Sequence, residues 1–200
     1  MQSNQASRWI NLCVFVFVIL SFTGNVFADE IDDRCVSEWG SDAEMVNYCT
    51  DNQRAAKAEI DKYDGLIRTN CEAEWNTDYE MVLYCLENQS AAQQSLAEVP
   101  SDEILARCQG EWGDDYEMVE YCVTNQTEAR AEVAASPQDE ISAFCLNKWG
   151  DDYEMNAYCI DNQRAAKQKI EANYSSSESA VCLNKWGLNY EMVEYCLSSP

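Results

Sequence analysis

The chain has 200 residues, a formal net charge of −23 and no histidine. Its acidity disfavours nucleic acid and anionic lipid as partners, because both are negatively charged, and it favours a cationic protein partner instead. The absence of histidine removes the commonest general base and metal ligand, so we expect neither an enzyme nor a resident cofactor.

Residues 1–28 are typical of a secretory signal peptide. Arg8 precedes an apolar run over residues 10–22, and Val26-Phe27-Ala28 is a small-residue cleavage pattern. The run is shorter than the roughly 20 apolar residues that span a bilayer. We therefore expect cleavage after Ala28, no stable membrane insertion of the mature chain, and a secreted or periplasmic location.

Five copies of a cysteine-bounded stretch follow this segment. In each copy a tryptophan stands four residues after the first cysteine, and Glu-Met stands five and six residues after the tryptophan. The first cysteines are 36 or 37 residues apart, a period that is typical of stacked helical hairpins. The copies are residues 35–49, 71–85, 108–122, 145–159 and 182–196.

Each copy has the apolar spacing of two helices separated by a break. Ile104, Cys108 and Trp112 lie at i, i+4 and i+8, which predicts a short helix with one apolar stripe. Gly and Asp then predict a turn and a helix start, and a second helix is predicted from about Asp115 to Ala134. The predicted fold is an all-α tandem array of five hairpins, over residues 29–65, 66–100, 101–136, 137–174 and the truncated 175–200.

The segments between hairpins carry start signals for the next short helix. We expect Ser101 and Ser136 to be N-caps, with Pro137 at the first helical position. The pattern leaves open whether the hairpins stack as a solenoid or stay separate as beads. Stacking is the favoured alternative, with Tyr84, Tyr121 and Tyr158 covering the neighbouring hairpin.

The turn of each hairpin falls midway between its two cysteines. Antiparallel helices then bring both thiols to the same depth on facing stripes, which predicts a disulfide within every hairpin. The arrangement is similar to that of the cysteine-rich Sel1-like proteins, although their more closely spaced cysteines and their Gly- and Ala-rich pattern are missing here. The predicted pairs are Cys35–Cys49, Cys71–Cys85, Cys108–Cys122, Cys145–Cys159 and Cys182–Cys196.

A tryptophan and a methionine from each copy are expected to fill the small core beside the disulfide. The methionine stands four residues before the second cysteine, so the two side chains share a helix face. These core residues are Trp39, Trp75, Trp112, Trp149, Trp186, Met45, Met81, Met118, Met155 and Met192.

A polar Asn-Gln pair follows the second cysteine in four of the copies. In the middle of a helix such a pair has two interpretations: it forms hydrogen bonds to the next hairpin, or it lines a repeated binding surface. The pairs are Asn52-Gln53, Asn88-Gln89, Asn125-Gln126 and Asn162-Gln163.

The chain repeats one unit and shows no set of catalytic residues, which favours an exported, non-enzymatic binding or scaffold protein. Its expected partner is an unidentified, cationic protein. The alternative is a soft-metal protein. Two cysteines and a methionine in each hairpin would suit Cu(I) if the thiols stayed reduced, whereas an oxidising compartment favours disulfides.

The oxidation state separates these two hypotheses by mass. Eleven cysteines less Cys13 leave ten in the mature chain. Purified without reductant, the mature protein should weigh ten hydrogens less than its reduced form, because five disulfides have formed. Intact mass spectrometry measures this difference. Ten free thiols with bound copper would contradict the disulfide prediction.

Overall fold

A computed structural model describes residues 29–199, and within this range all regular secondary structure is α-helix. The predicted signal peptide and Cys13 lie outside the described residues. Five short helices alternate with longer ones: α1 Glu30–Trp39, α2 Ala43–Ile60, α3 Gly65–Trp75, α4 Tyr79–Leu96, α5 Glu103–Trp112, α6 Tyr116–Ala135, α7 Glu140–Trp149, α8 Tyr153–Asn173, α9 Ser176–Trp186 and α10 Tyr190–Ser198. Hairpins 1 to 5 are the successive pairs of these helices. None of the helices between residues 29 and 199 is both long and apolar enough to cross a membrane.

The turn inside each hairpin has the structure that the sequence predicts. Each short helix ends at its tryptophan, and the next residue has a positive φ, 59° at Gly113 and 55° at Asn76. Glycine adopts this conformation without steric cost, and asparagine tolerates it better than most residues. Two residues after Gly113, the Asp115 side chain accepts a hydrogen bond from the Met118 backbone N–H and caps the long helix.

The caps of the short helices differ from the prediction. Asp102 and Asp139 are the N-caps of α5 and α7, where Ser101 and Ser136 were expected, and Pro137 lies before the cap instead of at the first helical position. Asp102 Oδ1 accepts hydrogen bonds from the backbone N–H groups of Ile104 and Leu105, at 3.1 and 3.2 Å. A carboxylate suits the positive end of a helix better than a hydroxyl does, which explains the preference.

All five predicted disulfides are present, each joining the short and long helix of one hairpin. In hairpin 3 the Cα atoms of Cys108 and Cys122 are 5.7 Å apart, within the usual range for a disulfide. Both residues are buried, beside the aliphatic side chains of Ile104, Val119 and Val123. The centre of each hairpin is therefore a disulfide surrounded by a few aliphatic residues.

The prediction that tryptophan fills this core is wrong for three hairpins. Trp39, Trp75 and Trp112 are 39%, 36% and 39% exposed, and Trp149 and Trp186 are only partly buried. The five methionines are half-buried at the edge of the core. The physical reason is helical drift, because residues i and i+8 differ by about 80° around a helix of 3.6 residues per turn. A stripe that buries Ile104 and Cys108 consequently carries Trp112 out towards solvent.

The hairpins stack through their long helices, so the array is solenoid-like. The helices α2, α4, α6, α8 and α10 pack in succession, and each short helix packs on the long helix of its own hairpin. Tyr84, Tyr121 and Tyr158 do not cover the neighbouring hairpin as predicted, since they are 60%, 62% and 65% exposed. The tyrosines at the start of the long helices pack on the preceding hairpin instead: Tyr79, Tyr153 and Tyr190.

Removing one disulfide should weaken its own hairpin. We expect the double substitution Cys108→Ala with Cys122→Ala to lower the local free energy of opening of α5 and α6 by about 3 kcal/mol, because the 15-residue loop is no longer closed in the unfolded state. Native-state hydrogen exchange measures this quantity helix by helix. The control is Gln109→Ala, an exposed position on α5. Unchanged protection of the α5 amides would contradict the expectation.

Candidate binding surface

A glutamine side chain connects each long helix to the beginning of the next. Gln126 Oε1 accepts a 2.7 Å hydrogen bond from the backbone N–H of Tyr153, the first residue of α8. Its Nε2 donates to the carboxylates of Asp152 and Glu154, at 3.1 and 3.2 Å. The amide therefore satisfies an N–H group that a helix start leaves free and, at the same time, the carboxylate that caps the helix.

This bonding pattern recurs at every joint between hairpins. Gln53 bonds to Tyr79, Asp78 and Glu80 at distances of 2.7, 3.1 and 3.2 Å. Gln89 makes the corresponding bonds to the third hairpin. At the last joint the pattern is shifted: Gln163 Oε1 accepts from the backbone N–H of Glu191, and its Nε2 donates to the Glu191 carboxylate and to the Asn189 amide oxygen. Gln53, Gln126 and Gln163 are buried, and Gln89 is half-buried. Of the two interpretations of the Asn-Gln pair, the glutamine therefore matches the first, a bond to the next hairpin.

The asparagines of these pairs occupy a different position. Asn52, Asn88, Asn125 and Asn162 are all half-buried. Asn52 and Asn125 line surface grooves at the edge of their joints. The asparagines are therefore the members of the pair that a partner can reach.

A second set of polar contacts surrounds the first tyrosine of a long helix. Lys57 Nζ lies 4.4 Å from the centroid of the Tyr79 ring and 2.7 Å from a carboxylate oxygen of Glu30, to which the Tyr79 hydroxyl also donates. The arrangement is repeated at two further joints. Between hairpins 3 and 4 it consists of Arg130, Glu103 and Tyr153. Between hairpins 4 and 5 it consists of Lys167, Glu140 and Tyr190.

These contacts change the acidity of the groups involved. The hydrogen bond from Lys57 is the main reason that the pKa of Glu30 lies below its ordinary value. The same bond, seen from the ammonium, raises the pKa of Lys57. Burial is the main reason that the pKa of Tyr79 is raised, with the bond to Glu30 second. All three groups therefore keep their usual charge at neutral pH.

At two of the joints, an arginine of the short helix forms an ion pair with the aspartate that caps the long helix of the next hairpin. Arg34 bonds to Asp78 at 2.5 Å, and Arg107 bonds to Asp152 at 2.7 Å. Each aspartate thus receives a guanidinium and a glutamine amide while it caps its helix. Charge-assisted bonds of this kind are stronger than neutral ones.

The joint between hairpins 2 and 3 lacks most of these contacts. In the repeat register, Asn70 stands where two of the other three joints have Arg34 and Arg107, and the last joint has Phe144. Gln93 stands where all three have a cation, at Lys57, Arg130 and Lys167. Glu117 at this joint has a raised pKa, first because of burial and then because Asp115, Glu120 and Glu74 repel its charge. A cavity of about 280 Å³ lies at this joint, beside Cys71, Gln89 and Asp115.

The clearest exposed feature is a row of aromatic side chains. One tyrosine per hairpin directly precedes the second cysteine and projects from the long helix, with 60% to 66% of its surface exposed. We call these residues the tyrosine row: Tyr48, Tyr84, Tyr121, Tyr158 and Tyr195.

Two similar grooves open beside this row. The first, of about 330 Å³, is lined by Trp39, Tyr48 and Met81, with Glu38 and Glu80 at its polar edge. The second, of about 300 Å³, has the corresponding residues Trp112, Tyr121, Met155, Glu111 and Glu154. We call them the tryptophan grooves. Each lies at a joint that has the arginine contact.

The sulfur atoms do not form the ligand set of the copper alternative. All ten cysteines of the described chain are in S–S bonds, so no reduced thiol faces the methionines there. Among residues 29–199, no cluster of three or more cysteine and carboxylate side chains is placed to hold a metal ion.

Comparison with known proteins found no matching family model, no matching curated protein and no matching solved structure.

Sequence reasoning missed several of the residues that build the joints. Arg34, Arg107 and the basic residues near the middle of the long helices were not singled out. Their signal was present, since Lys57, Arg130 and Lys167 all stand eight residues after the second cysteine of their copy. Each of these three cations forms its ion pair within its own hairpin, but the tyrosine ring that it contacts belongs to the next hairpin, so the pattern inside one copy does not indicate that contact.

The hydrogen bonds of Gln126 predict that two substitutions at this position weaken the docking of hairpin 4 to different degrees. We expect Gln126→Ala to weaken the docking of hairpin 4 by about 1–3 kcal/mol, because a buried N–H group and two carboxylates lose their partner. Gln126→Glu should weaken this docking more than Gln126→Ala does at neutral pH. The loss relative to the wild type should become smaller as the pH falls, because one of the crowded carboxylates becomes protonated.

Thermal unfolding and hydrogen exchange of α8 measure this effect. Thr124→Ala, at an exposed position on the same helix, is the control. Equal stabilities for Gln126→Ala and Thr124→Ala would show that the glutamine bond does not hold the joint.

Proposed function

We propose that this chain is an exported, non-enzymatic scaffold that presents one repeated surface to a cationic protein partner. The observation that carries the proposal is the tyrosine row. Five large aromatic side chains occupy the same position in five hairpins and remain largely exposed. Tyr79 and its counterparts are the tyrosines that pack on the neighbouring hairpin, whereas most of the surface of each tyrosine in the row is exposed.

Tyrosine is enriched in protein interfaces because its ring offers a large contact area and its hydroxyl remains able to form hydrogen bonds. A single exposed tyrosine is unremarkable in a folded protein. A row at one register, carried on helices that pack in succession, is an extended surface of the kind that stacked-repeat proteins use to bind partners.

The charge of the chain favours a basic partner. The net charge of −23 is spread over all copies, and the row is bordered by carboxylates such as Glu80, Glu87, Glu154 and Asp161. Such a surface attracts cationic proteins from a distance and repels acidic ones. Repetition then multiplies the effect, because each further contact with a tethered partner takes place at a raised effective concentration.

Export completes the proposal. Five disulfides persist in an oxidising compartment, and the first 28 residues have the pattern of a signal peptide. The partner is therefore expected in the periplasm or outside the cell.

The test compares three baits in their oxidised, mature form: the wild type, a variant with serine at all five positions of the tyrosine row, and a control. The control carries Ser37→Ala, Asn147→Ala and Asn184→Ala, at exposed positions on the short helices. Proteins from the envelope and medium of the exporting cell should bind the wild type and the control, because both keep the aromatic surface, and should be lost from the tyrosine variant.

Quantitative mass spectrometry of the eluted proteins measures the difference. Circular dichroism and intact mass show whether the variants keep their helices and disulfides. A set of bound proteins that is independent of the tyrosines would overturn the proposal.

A further inference from the structure

The residue before the tryptophan differs between the two ends of the array. It is glutamate in hairpins 1 to 3, at Glu38, Glu74 and Glu111, and lysine in hairpins 4 and 5. In these last two hairpins the lysine covers the indole: Lys148 Nζ lies 4.9 Å from the centroid of Trp149, and Lys185 Nζ lies 5.0 Å from that of Trp186. The chain thus contains two examples of an ammonium group seated on this tryptophan.

Hairpins 1 and 3 have a glutamate before the same indole, and among residues 29–199 no cation lies over its ring. Trp39 and Trp112 are each 39% exposed and lie in the tryptophan grooves. In both grooves a tyrosine of the tyrosine row and a methionine complete the apolar wall. The grooves therefore offer the aromatic and thioether contacts that suit a long, aliphatic side chain with a charged end.

The charges in the grooves are not balanced. In the first groove Arg34 is engaged by Asp78, which leaves the carboxylates of Glu38 and Glu80. Within residues 29–199 neither glutamate forms an ion pair, and Glu80 accepts only from the neutral amide of Gln53. The second groove repeats this arrangement with Arg107, Asp152, Glu111 and Glu154. A cation that enters either groove meets two carboxylates and an indole.

We propose that each tryptophan groove binds one lysine side chain of a basic partner protein. The indole attracts the ammonium through its π face, and the two glutamates form ion pairs with it. Hairpins 4 and 5 already hold their own lysine on the indole, so they do not accept one from outside. This inference rests on the proposed function and specifies the chemistry of the contact.

The test observes each indole separately. The mature, oxidised chain is labelled with nitrogen-15 and titrated with a capped oligolysine peptide at low salt, while the indole N–H signals are followed by NMR. We expect saturable shifts at Trp39 and Trp112 and no shift at Trp149 or Trp186. A capped oligoglutamate peptide should move none of the four signals.

Two substitutions exchange the lysine and the glutamate that precede the tryptophan in different hairpins. Lys148→Glu removes the internal cation and should make Trp149 respond to oligolysine. Glu111→Lys supplies an internal cation and should weaken the affinity measured at Trp112 by about five-fold or more while Trp39 still responds. Glu171→Lys changes the net charge by the same amount at an exposed position near the end of α8 and should leave both responses in place.

Equal shifts at Trp39, Trp112, Trp149 and Trp186, or equal losses in Glu111→Lys and Glu171→Lys, would overturn the inference in favour of unspecific charge attraction. The outcome is independent of the test of the proposed function. If a natural partner depends on the tyrosine row but binds Glu111→Lys as well as it binds the wild type, the proposed function is supported and lysine binding in the tryptophan grooves is contradicted. If oligolysine binds as expected but no protein depends on the tyrosine row, lysine binding is supported and the proposed function is contradicted.

Discussion

One disulfide across each hairpin is the constraint on which the other features depend. A helical pair of about 35 residues buries too little apolar surface to remain folded by itself. The S–S bond joins the two helices at their centre, where only a few aliphatic side chains surround it, as Ile104, Val119 and Val123 do around Cys108. Because the covalent bond supplies the cohesion, the large aromatic residues are not all required in the core. Trp112 and Tyr121 can lie at the surface of the same unit.

The joints between hairpins combine aliphatic packing with polar bonds. Ile60, Leu96 and Val133, near the ends of α2, α4 and α6, are buried in the core of the next hairpin. The start of each long helix is fixed by a glutamine amide, with an arginine and a cation–tyrosine contact added at some joints. Such bonds are directional, so they set the rotation of one hairpin relative to the next as well as its distance. The joint between hairpins 2 and 3 keeps the glutamine bonds and the packing of Leu96, with Asn70 and Gln93 in the places of the cations. Among the joints of the described residues, this one therefore relies least on charged contacts.

Much of the fold was accessible from the sequence because its determinants are local. The Gly-Asp break, the spacing of the cysteines and the spacing of Ile104 and Cys108 all act within one hairpin, and the disulfide pairing follows from them. The orientation of neighbouring hairpins is not local. Tyr79 and Tyr84 lie on one helix, and only the rotation between hairpins decides that the first packs and the second faces solvent. For the same reason the sequence left two interpretations of Gln126, whose partners are 26 to 28 residues away.

The local nature of the disulfides has a consequence for biogenesis. Within residues 29–199, every S–S bond joins cysteines that are consecutive in the sequence, with a separation of 14 residues. Oxidation that joins each of these cysteines to the next one in the sequence produces the native pattern from the first bond to the last. The native pairing needs no bond between distant cysteines, so each hairpin can be covalently closed independently of its successor.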